Sequence, residues 1–140
     1  MNAIILFRVA NELIGVDITC VREVAEGHEP IPVPKTPDFL VGMVNIRGEV
    51  IPVISLHRRL GLDAAVAGNK LLILEDDGRL AAIVVDELMG TRKIDKRYIN
   101  TRAELLATKK EKRFFLGVYE GDKKPVLLLD LGKTLSKEDT

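Results

Sequence analysis

The β-branched residues of this chain arrive in short bursts, each cut off within a few residues by Gly, Pro, Asp or Asn. Strands, not helices, are built from that pattern, so the chain reads as β-rich. Residues 3–9 form the first burst. Ala10, Asn11 and Glu12 turn it into a second at 13–16, with Asn11 as the expected left-handed turn residue. Residues 39–46 and 49–56 flank Arg47-Gly48, a tight hairpin signal. Residues 70–74 and 80–85 flank a link containing Asp77-Gly78, and residues 115–119 and 125–129 flank one containing Gly121-Asp122. Pro52 inside the 49–56 burst predicts an edge strand or a bulge, because proline has no N–H for a ladder.

Between the bursts lie connectors. Asp17 is placed to cap a short helical stretch over 18–24. The prolines at 30, 32, 34 and 37 predict an extended connector. Residues 57–60 read as one helical turn stopped by Gly61, residues 63–69 as a small polar connector, and residues 130–135 as a short helix. The segment 92–113 carries nine basic residues against three acidic ones. It reads as a solvated loop, or as a docking patch for an acidic partner. Within it Thr101-Arg102-Ala103-Glu104 fits a capping box ahead of a short helix.

Composition narrows the function classes. Roughly a third of the 140 residues are Leu, Val or Ile, enough for a packed core. The 21 basic and 21 acidic side chains cancel, which argues against binding nucleic acid through overall charge. Tryptophan is absent and aromatics make up 4%, a poor supply for stacking on bases or sugars. One cysteine, Cys20, leaves no internal disulfide and suits a reducing compartment. The longest apolar run, 80–85, is far short of the ~20 residues of a membrane span. The start of the chain does not read as a signal peptide, so a cytoplasmic protein without membrane insertion is expected.

Catalytic and metal signatures do not emerge. His28 sits in a Gly-His-Glu-Pro loop and His57 opens a polar turn, and both read as exposed. Cys20 reads as a small half-buried side chain. Metal-ligand spacing, a nucleophile elbow, a phosphate loop and a dinucleotide loop are all missing. Each half has hairpins of β-branched bursts and a strand closing on a polar residue. Two small β-barrels side by side, binding rather than catalysing, are the reading these residues support.

One constellation is more specific. Val21-Arg22-Glu23-Val24 is followed by Val33-Pro34-Lys35-Thr36-Pro37, and then by Gly42-Met43-Val44-Asn45-Ile46-Arg47-Gly48-Glu49-Val50-Ile51-Pro52-Val53-Ile54. Ile83-Val84-Val85-Asp86-Glu87-Leu88, Gly117-Val118 and Val126-Leu127-Leu128-Leu129-Asp130-Leu131 come after, in order along nearly the whole chain. The chain thereby resembles the CheW family of chemotaxis adaptors. The resemblance implies a mainly β fold of two SH3-like five-stranded barrel lobes around a shared apolar core, with short helices. Approximate lobes of 13–69 and 70–129 are expected, the second with strands exchanged from the N-terminus.

The resemblance also implies a non-enzymatic role without cofactor or metal. It couples the cytoplasmic tip of methyl-accepting chemoreceptors to the regulatory domain of the histidine kinase CheA, at receptor arrays on the inner face of the membrane. Val21, Gly42 and Gly48 match positions associated with kinase contact. Glu23 and Arg47 match positions associated with receptor binding, and are expected to meet and orient an apolar groove for the receptor's helical hairpin. Leu71 is a looser candidate for the far wall of that groove, and reads equally as core. Where the family usually has Asp, this chain has Ser55. The alternatives are a paralogue serving another motility or signalling array, a nucleic-acid binder using the basic segment, and an enzyme using Glu23, Asp86 and a histidine.

Overall fold

A computed structural model describes residues 1–62 and 70–136. The connector expected at 63–69 lies outside the described residues. Eleven strands are described: β1 Ala3–Val9, β2 Glu12–Asp17, β3 Val21–Glu26, β4 Leu40–Ile46, β5 Glu49–Ile54, β6 Lys70–Asp76, β7 Arg79–Val85, β8 Glu87–Lys93, β9 Ile99–Asn100, β10 Phe115–Tyr119 and β11 Val126–Leu129. Three single-turn helices accompany them: α1 Leu56–Arg59, α2 Glu104–Ala107 and α3 Leu131–Thr134.

The strands form two sheets. One runs β3-β6-β7-β5-β4 and the other β8-β1-β2-β11-β10-β9. The first lobe is therefore one continuous stretch, β3 to β7, and the second is built from both ends of the chain. A division between 69 and 70 does not describe these sheets, because β6 and β7 pair with β3 and β5 in the first lobe. The reason is non-local pairing. β5 runs parallel to β7, and β2 runs parallel to β11 with Ile14 opposite Leu127, and no local pattern announces either.

Alternation along the strands builds three layers of core. Leu71 and Ile73 of β6, with Ala82 and Val84 of β7, fill the first lobe alongside Val44, Ile46, Ile51 and Val53. Ile4, Leu6, Val126, Leu128 and Tyr119 fill the second. The opposite faces of the same strands meet between the lobes: Phe7, Val9, Leu72, Leu74, Ile83, Val85, Leu127 and Leu129, closed off by Phe114. Strands buried on both faces need continuous apolar runs, which is what residues 71–74, 81–85 and 126–129 are.

Several local expectations change. In the β1–β2 turn the left-handed residue is Ala10, not Asn11. Asp17 does cap, accepting from Thr19 N–H at 3.1 Å, but the turn covers only Ile18–Cys20 before β3 begins. The stretch from Val21 becomes a strand because β6 offers it a ladder partner. β5 lies inside its sheet despite Pro52, since its parallel pairing with β7 begins only at Val53. The accompanying register shift falls on the partner strand, between Leu40 and Gly42. The basic segment is not a plain loop. Its first residues finish β8, and β9 and α2 lie within it. The capping box does not form: α2 is preceded by Ala103 and has no side-chain cap.

Candidate functional site

The β4–β5 hairpin carries the most specific sequence block at its tip. Arg47 and Gly48 both have positive φ, at 50° and 85°, the geometry that lets a two-residue turn match the twist of its strands. Asn45 Oδ1 accepts from Gly48 N–H at 2.9 Å and locks the tip. The tip then reaches β3, at the opposite edge of the same sheet: Arg47 Nη2 donates to Glu23 Oε2. Arg22, next to Glu23, lies 3.3 Å from Glu75 and 4.0 Å from Glu49. These charged contacts tie the two ends of the sheet order together, as a curled, barrel-like sheet requires.

Arg47 remains 73% exposed at its side chain. Its hydrogen bond to Glu23 holds the guanidinium charged even more firmly than usual. The pair rims a pocket of 240 Å³ with Arg22 and Glu49, floored by Ile46, Ile51, Ile73 and Leu80, and its exposed surface is mostly polar. Glu23 and Arg47 thus meet as expected. What they frame is a charged mouth rather than an apolar helix groove.

The remaining candidates fall into three positions. Gly42, in β4, is packed under the proline connector: a Cβ there would collide with the Ile31 carbonyl. Ile31 and Met43 exchange both backbone hydrogen bonds across that contact, at 2.8 and 2.9 Å. Pro30 and Pro32 flank the one residue that pairs, so the connector covers the edge of β4 without offering a new ladder. Gly48 has open space around it and serves the turn. Val21 opens β3 opposite Leu74, half-buried against the interlobe core. Leu71 is 2% exposed inside the first lobe and has no surface to offer a partner; its side chain is core.

His57 departs furthest from expectation. It is buried, not exposed, at 2%, and its Nε2 lies 3.1 Å from Asp86 Oδ2. Ser55, two residues earlier, accepts at Oγ from Arg58 N–H and starts the α1 turn that carries it. His28 is exposed as expected. Burial pushes the half-buried Cys20 thiol up, with Asp17 adding to the shift, so it stays protonated at neutral pH. Although Asp86 and His57 are adjacent, both side chains are sealed from solvent and Glu23 is engaged with Arg47, so the three do not form an open catalytic cluster.

In the basic segment, Arg92 lies 3.5 Å from Asp122, Arg97 2.6 Å from Asp95, Lys109 2.8 Å from Glu12 and Arg113 3.1 Å from Glu111. Much of its charge is spent locally. Among the described residues no helix is long and apolar enough to cross a membrane.

Comparison with known proteins agrees with this architecture. The CheW-like domain family matches residues 3–139. The chain is 26% identical over 138 residues to the chemotaxis protein CheW of Rhizobium meliloti, covering 97% of this chain and 88% of that protein. It is 24% identical over 143 residues to the CheW of Treponema pallidum, covering 97% and 83%. The crystal structure of the scaffolding protein TtCheW from Thermoanaerobacter tengcongensis superposes with a TM-score of 0.88 at 29% identity, over 99% of this chain and 90% of that one. Two apolar-cored sheets and a β4–β5 tip ion-paired to β3 thus belong to a chain of the CheW family, a non-enzymatic scaffold of chemotaxis signalling.

Proposed function

We propose that this chain joins the regulatory domain of the histidine kinase CheA to the cytoplasmic tip of methyl-accepting chemoreceptors, with both contacts on the first lobe. The observation that carries the reading is the exposed Arg47–Glu23 pair, which couples the β4–β5 tip to β3. Arg47 offers a planar fork of donors suited to carboxylates or backbone carbonyls of a docking helix. Glu23 orients that fork. Val21 and Gly48 are the kinase contacts, the first a half-buried apolar side chain and the second backbone with open space around it on which another backbone can approach closely. Buried Gly42 serves them from beneath, by letting the proline connector lie against β4. The protein is drawn from the cytoplasm to receptor clusters at the inner face of the membrane. Each contact is modest and gains strength by repetition in the array.

The test is a reconstitution from purified chain, kinase and clustered receptor fragment, pelleted and read by kinase autophosphorylation. Wild type brings the kinase down and raises its activity. Val21→Asp retains the receptor and loses the kinase, and Arg47→Glu does the reverse while keeping the wild-type melting curve. Equal receptor binding by Arg47→Glu removes the receptor assignment. Failure of the wild-type chain to bridge a cognate pair removes the function.

A further inference from the structure

Two buried polar side chains project from one helical turn, and both reach out of the lobe that carries them. α1 follows β5 of the first lobe. Its His57 Nε2 meets Asp86 Oδ2 at 3.1 Å, and Asp86 is the residue at which the chain crosses from β7 of the first lobe to β8 of the second. The same Oδ2 accepts from Ala10 N–H at 2.7 Å, in the β1–β2 turn of the second lobe. A carboxylate only accepts, so the shared hydrogen sits on Nε2. His57 Nδ1, also buried, has no hydrogen-bond partner among the described residues.

Arg59, one residue past Arg58 on the same turn, lies between two rings. Its guanidinium carbon is 4.0 Å from the centroid of Phe39, ahead of β4, and 4.6 Å from that of Phe114, ahead of β10. Its nitrogens donate to carbonyls at the end of α3: Thr134 at 3.1 Å and Ser136 at 2.8 Å. The exposed residue of the turn, Arg58, stays within the first lobe, donating to the Asp38 carbonyl.

A shared apolar core holds two lobes together but fixes their angle weakly, because apolar contact has no direction. Buried polar groups are costly unless paired in one geometry, so they select that geometry. We propose that α1 is a clasp: His57, through Asp86, and Arg59, through the end of α3, lock the first lobe against the second at one angle. A scaffold passes a partner's bias onward only if its own frame does not yield, so the clasp sets the stiffness of the coupler. That last consequence rests on the proposed function; the clasp itself does not.

The test measures the frame directly. Nitroxide labels are placed at Glu26→Cys in the first lobe and Lys123→Cys in the second, both exposed, in a Cys20→Ser background, and their distance distribution is read by pulsed electron resonance. Wild type gives one narrow distribution. His57→Leu keeps the volume and loses the hydrogen bond, and the distribution broadens about twofold. His57→Gln puts an amide N–H near the place of Nε2–H and restores the width. A folded His57→Leu protein as narrow as wild type overturns the clasp.

Should His57→Leu fail to fold, hydrogen exchange on the unaltered protein decides. The His57 ring N–H, seen in a proton–nitrogen spectrum, exchanges about a hundredfold slower than an open histidine ring N–H if Asp86 holds it. Exchange at the open-ring rate overturns the proposal. In the reconstitution, His57→Leu still pellets with each partner while kinase activation falls about tenfold. Full activation by a variant whose distance distribution has broadened overturns the consequence for coupling. Absence of bridging by wild type counts against the proposed function and leaves the distance result standing.

Discussion

Gly42 and Gly48 sit in the same hairpin and answer to different physics. At Gly42 the constraint is space, since the Ile31 carbonyl occupies the site of a Cβ. At Gly48 it is backbone conformation, with φ at +85° and nothing near. Gly42→Ala is therefore expected to cost about 1–3 kcal/mol by urea denaturation, as the proline connector is pushed off β4. Gly48→Ala costs about 1 kcal/mol, and Gly48→Asn recovers most of it, because Asn tolerates the left-handed region. Loss of kinase binding by Gly48→Asn at wild-type stability separates contact from fold at that residue. Arg47 was legible as a partner for Glu23 only through the family resemblance, since the two stand in separate blocks of the sequence. His57 was not legible as a buried group, because a histidine beside two arginines reads as surface; only packing of α1 against the second lobe buries it.

At the scale of the element, the single-turn helices depend on their caps, being far too short to hold by propensity. Ser55 caps α1 and Asp130 caps α3, each side chain accepting from the backbone N–H three residues on. Ser55→Ala is expected to lower stability by about 1 kcal/mol, and Ser55→Thr, which keeps a capping hydroxyl, to retain most of it. Thr101→Ala, which deletes the capping box that fits the sequence but does not form, leaves the melting temperature unchanged. Thermal melts of the three variants decide both points. The hairpins β4–β5 and β6–β7 were readable to within a residue or two, because Arg47-Gly48 and Asp77-Gly78 supply the positive φ their turns demand. β8 was missed as a strand. Glu87–Lys93 has polar residues and Gly90 in its middle, and pairs with β1 across a register shift.

At the scale of the molecule, the interlobe core ties folding of one lobe to the other. Phe7, Leu72, Ile83 and Leu127, from β1, β6, β7 and β11, share one cluster, so neither sheet buries its outer apolar face alone. One cooperative unfolding transition is expected by both circular dichroism and tyrosine fluorescence. Fragments 1–69 and 70–140, cut where the sequence suggested a lobe boundary, are each expected to be unfolded, since the cut takes β6 and β7 from the first lobe's sheet. A folded fragment 70–140 would show that the second lobe needs neither β1 nor β2.

The sequence by itself determined the class of fold, most strands, the tight turns and the family, because those depend on periodicity, on residues suited to positive φ and on motifs read in order. The family resemblance it carries also implied that Glu23 and Arg47 meet. The tertiary structure alone decided which strands share a sheet, that Leu71 is interior, that the Glu23–Arg47 mouth is polar, and that His57 and Asp86 are a buried pair between lobes. Those outcomes depend on parallel pairings and interlobe contacts between residues tens of positions apart. Local pattern carries no record of them, whereas the energy that selects them, burial of both faces of β1, β6, β7 and β11, exists only once the lobes have met.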